Sequence, residues 1–177
     1  LDLRELIEEV LDRLGQRIEE AGASVDVDVA PEVTNVVSDP TRLSQILTNL
    51  IDNAIKFSPP PAKVAVRATL DGADVAISVT DNGPGIPESE REAIFREFYR
   101  GKSDGAQSRA GAGLGLAIAR RVARLLGGDL TLDSEVGKGS TFWVRFPYRY
   151  PEISAEEDVQ AQMRDSDLAQ RQKHPDH

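Results

Sequence analysis

The sequence predicts an α+β two-layer sandwich, a single largely antiparallel sheet covered on one face by about three helices. Apolar residues recur at helical spacing in some stretches and alternate with polar residues in others. Several alternating stretches fall in pairs joined by short turns, a pattern that makes antiparallel hairpins within a mixed, largely antiparallel sheet. With 177 residues and 40% hydrophobic content, the chain has enough apolar side chains for one core of ordinary size, so one domain plus some extra length is expected.

Leu3, Leu6, Ile7, Val10, Leu11, Leu14 and Ile18 lie at helical spacing, with Asp2 and Glu5 as a capping pair and Gly22 just after the end, so the first element reads as one helix. "SVDVDVA" alternates and is closed as a short strand by Pro31. Asp39 and Pro40 supply an N-cap and a first-turn proline for a second helix that runs to about Phe57, where "SPPPA" stops it. "KVAVRATL" and "DVAISVT" flank "DGA" and form a hairpin. A short helix from Glu88 to Phe98, a polar segment and a longer helix from about Gly115 to Leu126 follow. "DLTLDSE" and "STFWVRF" then pair around Gly137 and Gly139. From Pro151 onward there are no aromatics and charges dominate, so residues 148–177 read as an acidic, disordered tail. Ser154 and Glu157 could form a capping box there, with Val159 and Met163 on one side, so the stretch reads as either a partner-binding helix or a solvated tail.

Composition excludes several classes. A net charge of −9 argues against nucleic acid, whose affinity rests on clustered Lys and Arg. The absence of cysteine leaves neither a disulfide framework nor a thiolate metal site. No apolar run approaches the ~20 residues that span a bilayer. "LDLRELIEEV" also lacks a signal-peptide pattern, so a soluble chain with no direct membrane contact is expected.

Three stretches carry chemistry. On the second helix, Leu43, Ile46, Leu47, Leu50, Ala54 and Phe57 make an apolar stripe, and Asn49, Asn53 and Lys56 run along its edge. These three polar residues are either the wet margin of an amphipathic helix or a site. An amide carbonyl suits a hard Mg²⁺ ion, and a lysine one turn on neutralises phosphate. In "DNGPGIP", Asp81 accepts hydrogen bonds only, which favours the exocyclic amine of adenine over the carbonyl of guanine. Gly83 and Gly85 let a flat ring approach the backbone, although the stretch also reads as a tight turn. In "GAGLGLAIARRVARLL", Gly111, Gly113 and Gly115 lead into a helix with Leu114, Ile118, Val122 and Leu125 on its apolar face. Backbone N–H groups at such a start attract anions. It is not a P-loop, and no strand leads into it as in a dinucleotide fingerprint. "RGKSDGAQSRA" is either a surface loop or a lid whose Arg100 or Arg109 reaches phosphate. Ile94, Phe95 and Phe98 read as core packing at its hinge, and Thr141 as a strand residue or one facing the site.

"NLIDNAIKFS", "DNGPGI", "FREFYRG" and "GAGLGLAIAR", in this order and at these separations, resemble the N, G1, F and G2 boxes of sensor histidine kinases, over roughly residues 1–147. The resemblance implies the Bergerat ATP-binding fold, with its mixed sheet, shared with gyrase, the Hsp90 chaperones and MutL. It implies ATP and Mg²⁺ as cofactors. Asn53 becomes the Mg²⁺ ligand, Asn49 and Lys56 phosphate-side contacts, Asp81 the adenine acceptor, and Thr141 its helper through water. Gly111 to Leu116, with Gly113, Leu114 and Gly115, become the phosphate loop and lid base. Phe57, Gly83, Gly85, Ile86, Arg100 and Gly101 complete the nucleotide-binding set, and Asn49, Lys56 and Arg100 the catalytic one. Where related ATPases carry a general-base Glu one turn before the Mg²⁺ ligand, this chain has Asn49, so direct hydrolysis is expected to be poor.

The phosphoacceptor is missing, since His174 and His177 are the only histidines and both fall in the polar tail. The resemblance therefore implies the catalytic half of a cytoplasmic kinase whose His-bearing dimerisation domain lies outside this chain. Its parent is expected to be a homodimer, often membrane-anchored, that passes phosphate to a response-regulator Asp, while this fragment is monomeric. The alternatives are a non-catalytic ATP-sensing module and a Ser/Thr protein kinase of the anti-sigma type.

Overall fold

The structure, a computed structural model, describes residues 1–97 and 115–148. Asp2 accepts the Glu5 N–H at 3.0 Å and starts helix α1, Leu3–Arg13. The single first helix expected from the apolar spacing is broken at Leu14, and a short α2, Gly15–Glu20, follows. Gly15 is the cause that local chemistry offers, because glycine gives up the most backbone freedom on entering a helix. Strand β1 is Ser24–Val29. Helix α3, Pro40–Phe57, begins where expected: Asp39 accepts the Arg42 N–H at 3.0 Å, and Pro40 occupies the first turn. Ser58, in extended conformation, ends it and donates its hydroxyl to the Ala54 carbonyl at 2.7 Å.

Strands β2, Lys63–Asp71, and β3, Asp74–Asp81, form the hairpin around Gly72, which has a φ of +61°. In place of the expected helix from Glu88, the described residues form two 3-10 turns, Glu88–Glu90 and Ala93–Phe95. The charged run there has no apolar stripe to bury, and among these turn residues only Ile94 enters the core. Phe95 packs edge-on against Phe142 at 6.3 Å and lies beneath the Arg120 guanidinium. Phe98 lies outside the described residues. Helix α4 is Gly115–Leu125, followed by β4, Asp129–Glu135, and β5, Gly139–Pro147. Its buried face is Ala119, Val122 and Ala123, while Leu125 is 59% exposed and Leu126 packs on the core instead.

The sheet order is β1-β2-β3-β5-β4; β1 and β2 are parallel and every other pair is antiparallel. Val64, Val66, Val75, Ile77, Val79, Phe142 and Val144 are buried on one side of the alternation. Helices α3 and α4 pack on the sheet, and α1 packs on α3 through Leu3, Ile7 and Val10. The consequence for function is positional: β3, paired on both sides, ends at Asp81 on the buried side.

Candidate nucleotide site

Asp81 is buried, and both of its hydrogen bonds fall on one oxygen. Oδ1 accepts the N–H of Gly83 at 2.9 Å and of Ser140 at 3.2 Å, while among the described residues Oδ2 has no partner. Burial pushes the carboxyl pKa up, and the two backbone N–H groups pull it back without cancelling the rise. The group is thus a fixed acceptor whose second oxygen is left open among the described residues.

The glycines of this loop save space for protein as well. A Cβ on Gly83 would sit 2.8 Å from the Phe57 carbonyl oxygen and 2.9 Å from Asp81 Oδ1. At Gly85, with a φ of +78°, it would sit 2.3 Å from the Glu135 carbonyl oxygen. The close approaches seen in the structure are therefore of the loop onto α3 and onto β4.

The β4–β5 hairpin end buttresses that loop. Gly137 donates to the Pro84 carbonyl at 2.8 Å, and buried Ile86 donates its N–H to Ser134 Oγ at 2.8 Å. Ser134 Oγ in turn donates to the Gly139 carbonyl at 3.0 Å and lies 2.8 Å from Ser140 Oγ, which leaves Ser140 to donate in that pair. One proton and two lone pairs are all in use. Neither serine was singled out from the sequence. The available signal was a polar residue on the apolar side of each strand's alternation, Ser134 in step with Leu130 and Leu132, and Ser140 with Phe142 and Val144.

Thr141 is not brought to Asp81. Strand alternation turns it to the other face, where its hydroxyl lies 2.9 Å from that of Thr80, its partner in the ladder. Ser140, one residue earlier, takes the place beside the carboxylate.

On α3, Asn49 and Asn53 are half-buried, and no hydrogen bond among the described residues ties up either side-chain amide. The start of α4 stands next to Asn49, because a Cβ on Gly115 would lie 3.8 Å from Asn49 Oδ1. Leu116 packs partly against the core. Lys56 Nζ lies 3.1 Å from Asp52 Oδ2. A cavity of about 890 Å³ lies between α2, the end of α3 and the 82–84 stretch; Arg17, Asp52, Lys56, Phe57, Gly83 and Pro84 help line it. Arg100, Gly101, Arg109, Gly111, Gly113 and Leu114 lie outside the described residues.

The described residues contain no cluster of three or more His, Cys, Asp or Glu side chains that would hold a metal alone. A single neutral amide carbonyl, as at Asn53, fits an octahedral Mg²⁺ that keeps waters and arrives on phosphates.

Residues 38–150 match the family described as histidine kinase-, DNA gyrase B-, and HSP90-like ATPase. The adaptive-response sensory kinase SasA of Synechococcus elongatus is 36% identical over 147 residues, 82% of this chain and 38% of that protein. Full-length ShkA, solved in complex with AMPPNP, aligns with a TM-score of 0.73 at 34% identity, covering 84% of this chain and 30% of that one. Histidine kinase ThkA, solved in complex with the response regulator protein TrrA, aligns with a TM-score of 0.69 at 28% identity, covering 84% and 41%. The chain spans between 14% and 38% of the length of the curated relatives it matches.

Proposed function

The chain belongs to the histidine kinase-, DNA gyrase B- and HSP90-like ATPase family, as an ATP-binding catalytic domain of the sensor histidine kinase type with the Bergerat fold, and from that premise we propose how its residues act. The adenine amine donates to Asp81 Oδ2, while Gly83 and Ser140 hold Oδ1 in place. Phe57, Gly83, Gly85 and Ile86 border the base. Asn53 offers its carbonyl to Mg²⁺, and Asn49 and Lys56 face the phosphates. Gly101, Gly111, Gly113, Leu114, Gly115 and Leu116, with Arg100, are assigned to contact the nucleotide on its phosphate side. Bound Mg²⁺ supplies charge neutralisation on the phosphates.

Transfer then needs alignment more than acid–base chemistry. A histidine imidazole nitrogen, from a dimerisation domain outside this chain, forms the N–P bond as the bond from the γ-phosphorus to the β–γ bridging oxygen breaks and ADP leaves. The phosphoryl group passes onward to a response-regulator Asp. Asn49 cannot take a proton from water at neutral pH, which favours transfer over hydrolysis. The catalytic unit is assigned to residues 1–147, since β5 ends at Pro147, and 148–177 to a tail. Among the described residues no helix is long and apolar enough to cross a membrane. We place the unit in the cytoplasm, where ATP is supplied, as part of a homodimeric, membrane-anchored parent.

The observation that carries this reading is the buried carboxylate with one oxygen fixed by two backbone N–H groups and the other left open. Its test is incubation of the parent protein, extended upstream of Leu1, with Mg²⁺ and γ-labelled ATP. Acid-labile, base-stable label that vanishes with Asn53→Ala supports it. ATP binding with no label transfer would overturn the kinase assignment in favour of an ATP-sensing module.

A further inference from the structure

Lys56 shares its carboxylate partner with a second cation. Its Nζ is 3.1 Å from Asp52 Oδ2, and Asp52 Oδ1 takes a charged hydrogen bond from Nη1 of Arg17 on α2. The Asp52 side chain is 19% exposed, against 53% for Arg17 and 36% for Lys56, so the carboxylate is the fixed member and the long cations are the movable ones. Viewed down α3 at ~100° per residue, Lys56 projects between Asp52 on one side and Asn49 and Asn53 on the other. On the proposed function, its ammonium would have two competing anionic destinations, the Asp52 carboxylate seen here and a nucleotide phosphate beside the two asparagines.

We propose that Arg17 and Asp52 are positioning residues that set how readily Lys56 is released to a nucleotide phosphate. The inference rests on Lys56 being a phosphate contact. When Lys56 swings to phosphate, a half-buried carboxylate would be left without a counter-charge, which is costly. Arg17 is already in place to supply one. The guanidinium on α2 therefore lowers the cost of releasing Lys56. A shift of α2 that draws Arg17 away leaves Asp52 to Lys56 alone, and nucleotide binding weakens. The helices that precede the sheet in the chain thereby gain a direct line to the phosphate end of the site without touching the base.

The test is calorimetric titration of the chain with Mg-ATP, Mg-ADP and adenosine, on the wild type and on Arg17→Ala, Asp52→Asn, the double variant and Lys56→Ala. Arg17→Ala is expected to raise the Kd for ATP about threefold, the scale of one partly exposed ion pair, with adenosine unchanged. Asp52→Asn is expected to lower the Kd for ATP, and in that background Arg17→Ala loses most of its effect. If Lys56→Ala leaves ATP affinity unchanged, the phosphate role of Lys56 fails and the inference goes with it. If Lys56→Ala weakens ATP but Arg17→Ala and Asp52→Asn do not move it, the phosphate role survives and the inference alone is overturned. An equal shift for adenosine overturns it too, because that is the mark of a merely structural effect.

Discussion

If Asp81 reads the adenine as proposed, Asp81→Asn separates recognition of the base from the integrity of the fold. Both backbone hydrogen bonds, from Gly83 at 2.9 Å and Ser140 at 3.2 Å, end on Oδ1. An asparagine that keeps its carbonyl oxygen there retains both, and its NH₂ group then stands where Oδ2 stood. A donor now faces the donating amine of adenine. The loss is one charge-assisted hydrogen bond, about 1.5–3 kcal/mol. At about 1.4 kcal/mol per decade, that is roughly a 10- to 150-fold rise in Kd. Stability moves little or in the other direction, because burial already penalises the ionised carboxylate and the neutral amide relieves that penalty. Calorimetry with ATP and a thermal melt on the same sample read both quantities. Unchanged affinity refutes the adenine assignment. A loss of affinity accompanied by more than about 2 kcal/mol of lost stability refutes the claim that the hydrogen bonds to Oδ1 survive the substitution.

Three further outcomes are expected. Burial raises the Asp81 pKa, so ATP affinity should fall as pH drops through that raised value, at a higher pH than an ordinary aspartate dictates. The stability term has the opposite sign, being present below the unfolded pKa and lost as pH rises through the folded one, and Asp81→Asn should flatten both profiles. Ser134→Ala strands the buried Ile86 N–H and removes the donor to the Gly139 carbonyl, so chemical denaturation should show about 1–3 kcal/mol of lost stability along with weaker ATP binding. Gly139→Ala forces a Cβ to 2.1 Å from the Asp81 carbonyl oxygen at a φ of +89°. More than about 3 kcal/mol should be lost, and a melt indistinguishable from wild type would contradict the geometry.

What the sequence makes legible is what few neighbouring residues decide. Asp39, Pro40 and Ser58 bound α3 by local capping, and "DGA" is too short a connection to be anything but a hairpin turn. The break at Leu14 is hidden because a helical spacing of apolar residues runs on across it, whereas the stretch after Pro87 has helix-forming residue types but too few apolar positions to bury a helix face. At the site, Asp81, Gly83 and Asn49 announce themselves by residue type. Ser134 and Ser140 do not, since their roles exist only once β4 and β5 pair with these residues opposite each other. Thr141 was the residue named from the resemblance, yet the apolar parity of Phe142 and Val144 already assigns the buried side to Ser140. The Lys56–Asp52 pair is visible as a one-turn spacing, whereas Arg17 comes from 35 positions away and only folding brings it near.

Strand β3 ends two ladders together, with Asp81 opposite Val64 on β2 and Thr80 opposite Thr141 on β5. A slip of one residue in either ladder turns Asp81 outward along with Val75, Ile77 and Val79, so the position of the carboxylate is inherited with the core. Contacts elsewhere in the site are open to gradual drift over generations, one substitution at a time. The address of the Asp81 carboxylate is not. A descendant that abandons ATP is therefore expected to betray it by a changed residue at position 81 on an unshifted strand, and ancestry and ligand history can be read separately from the same few residues.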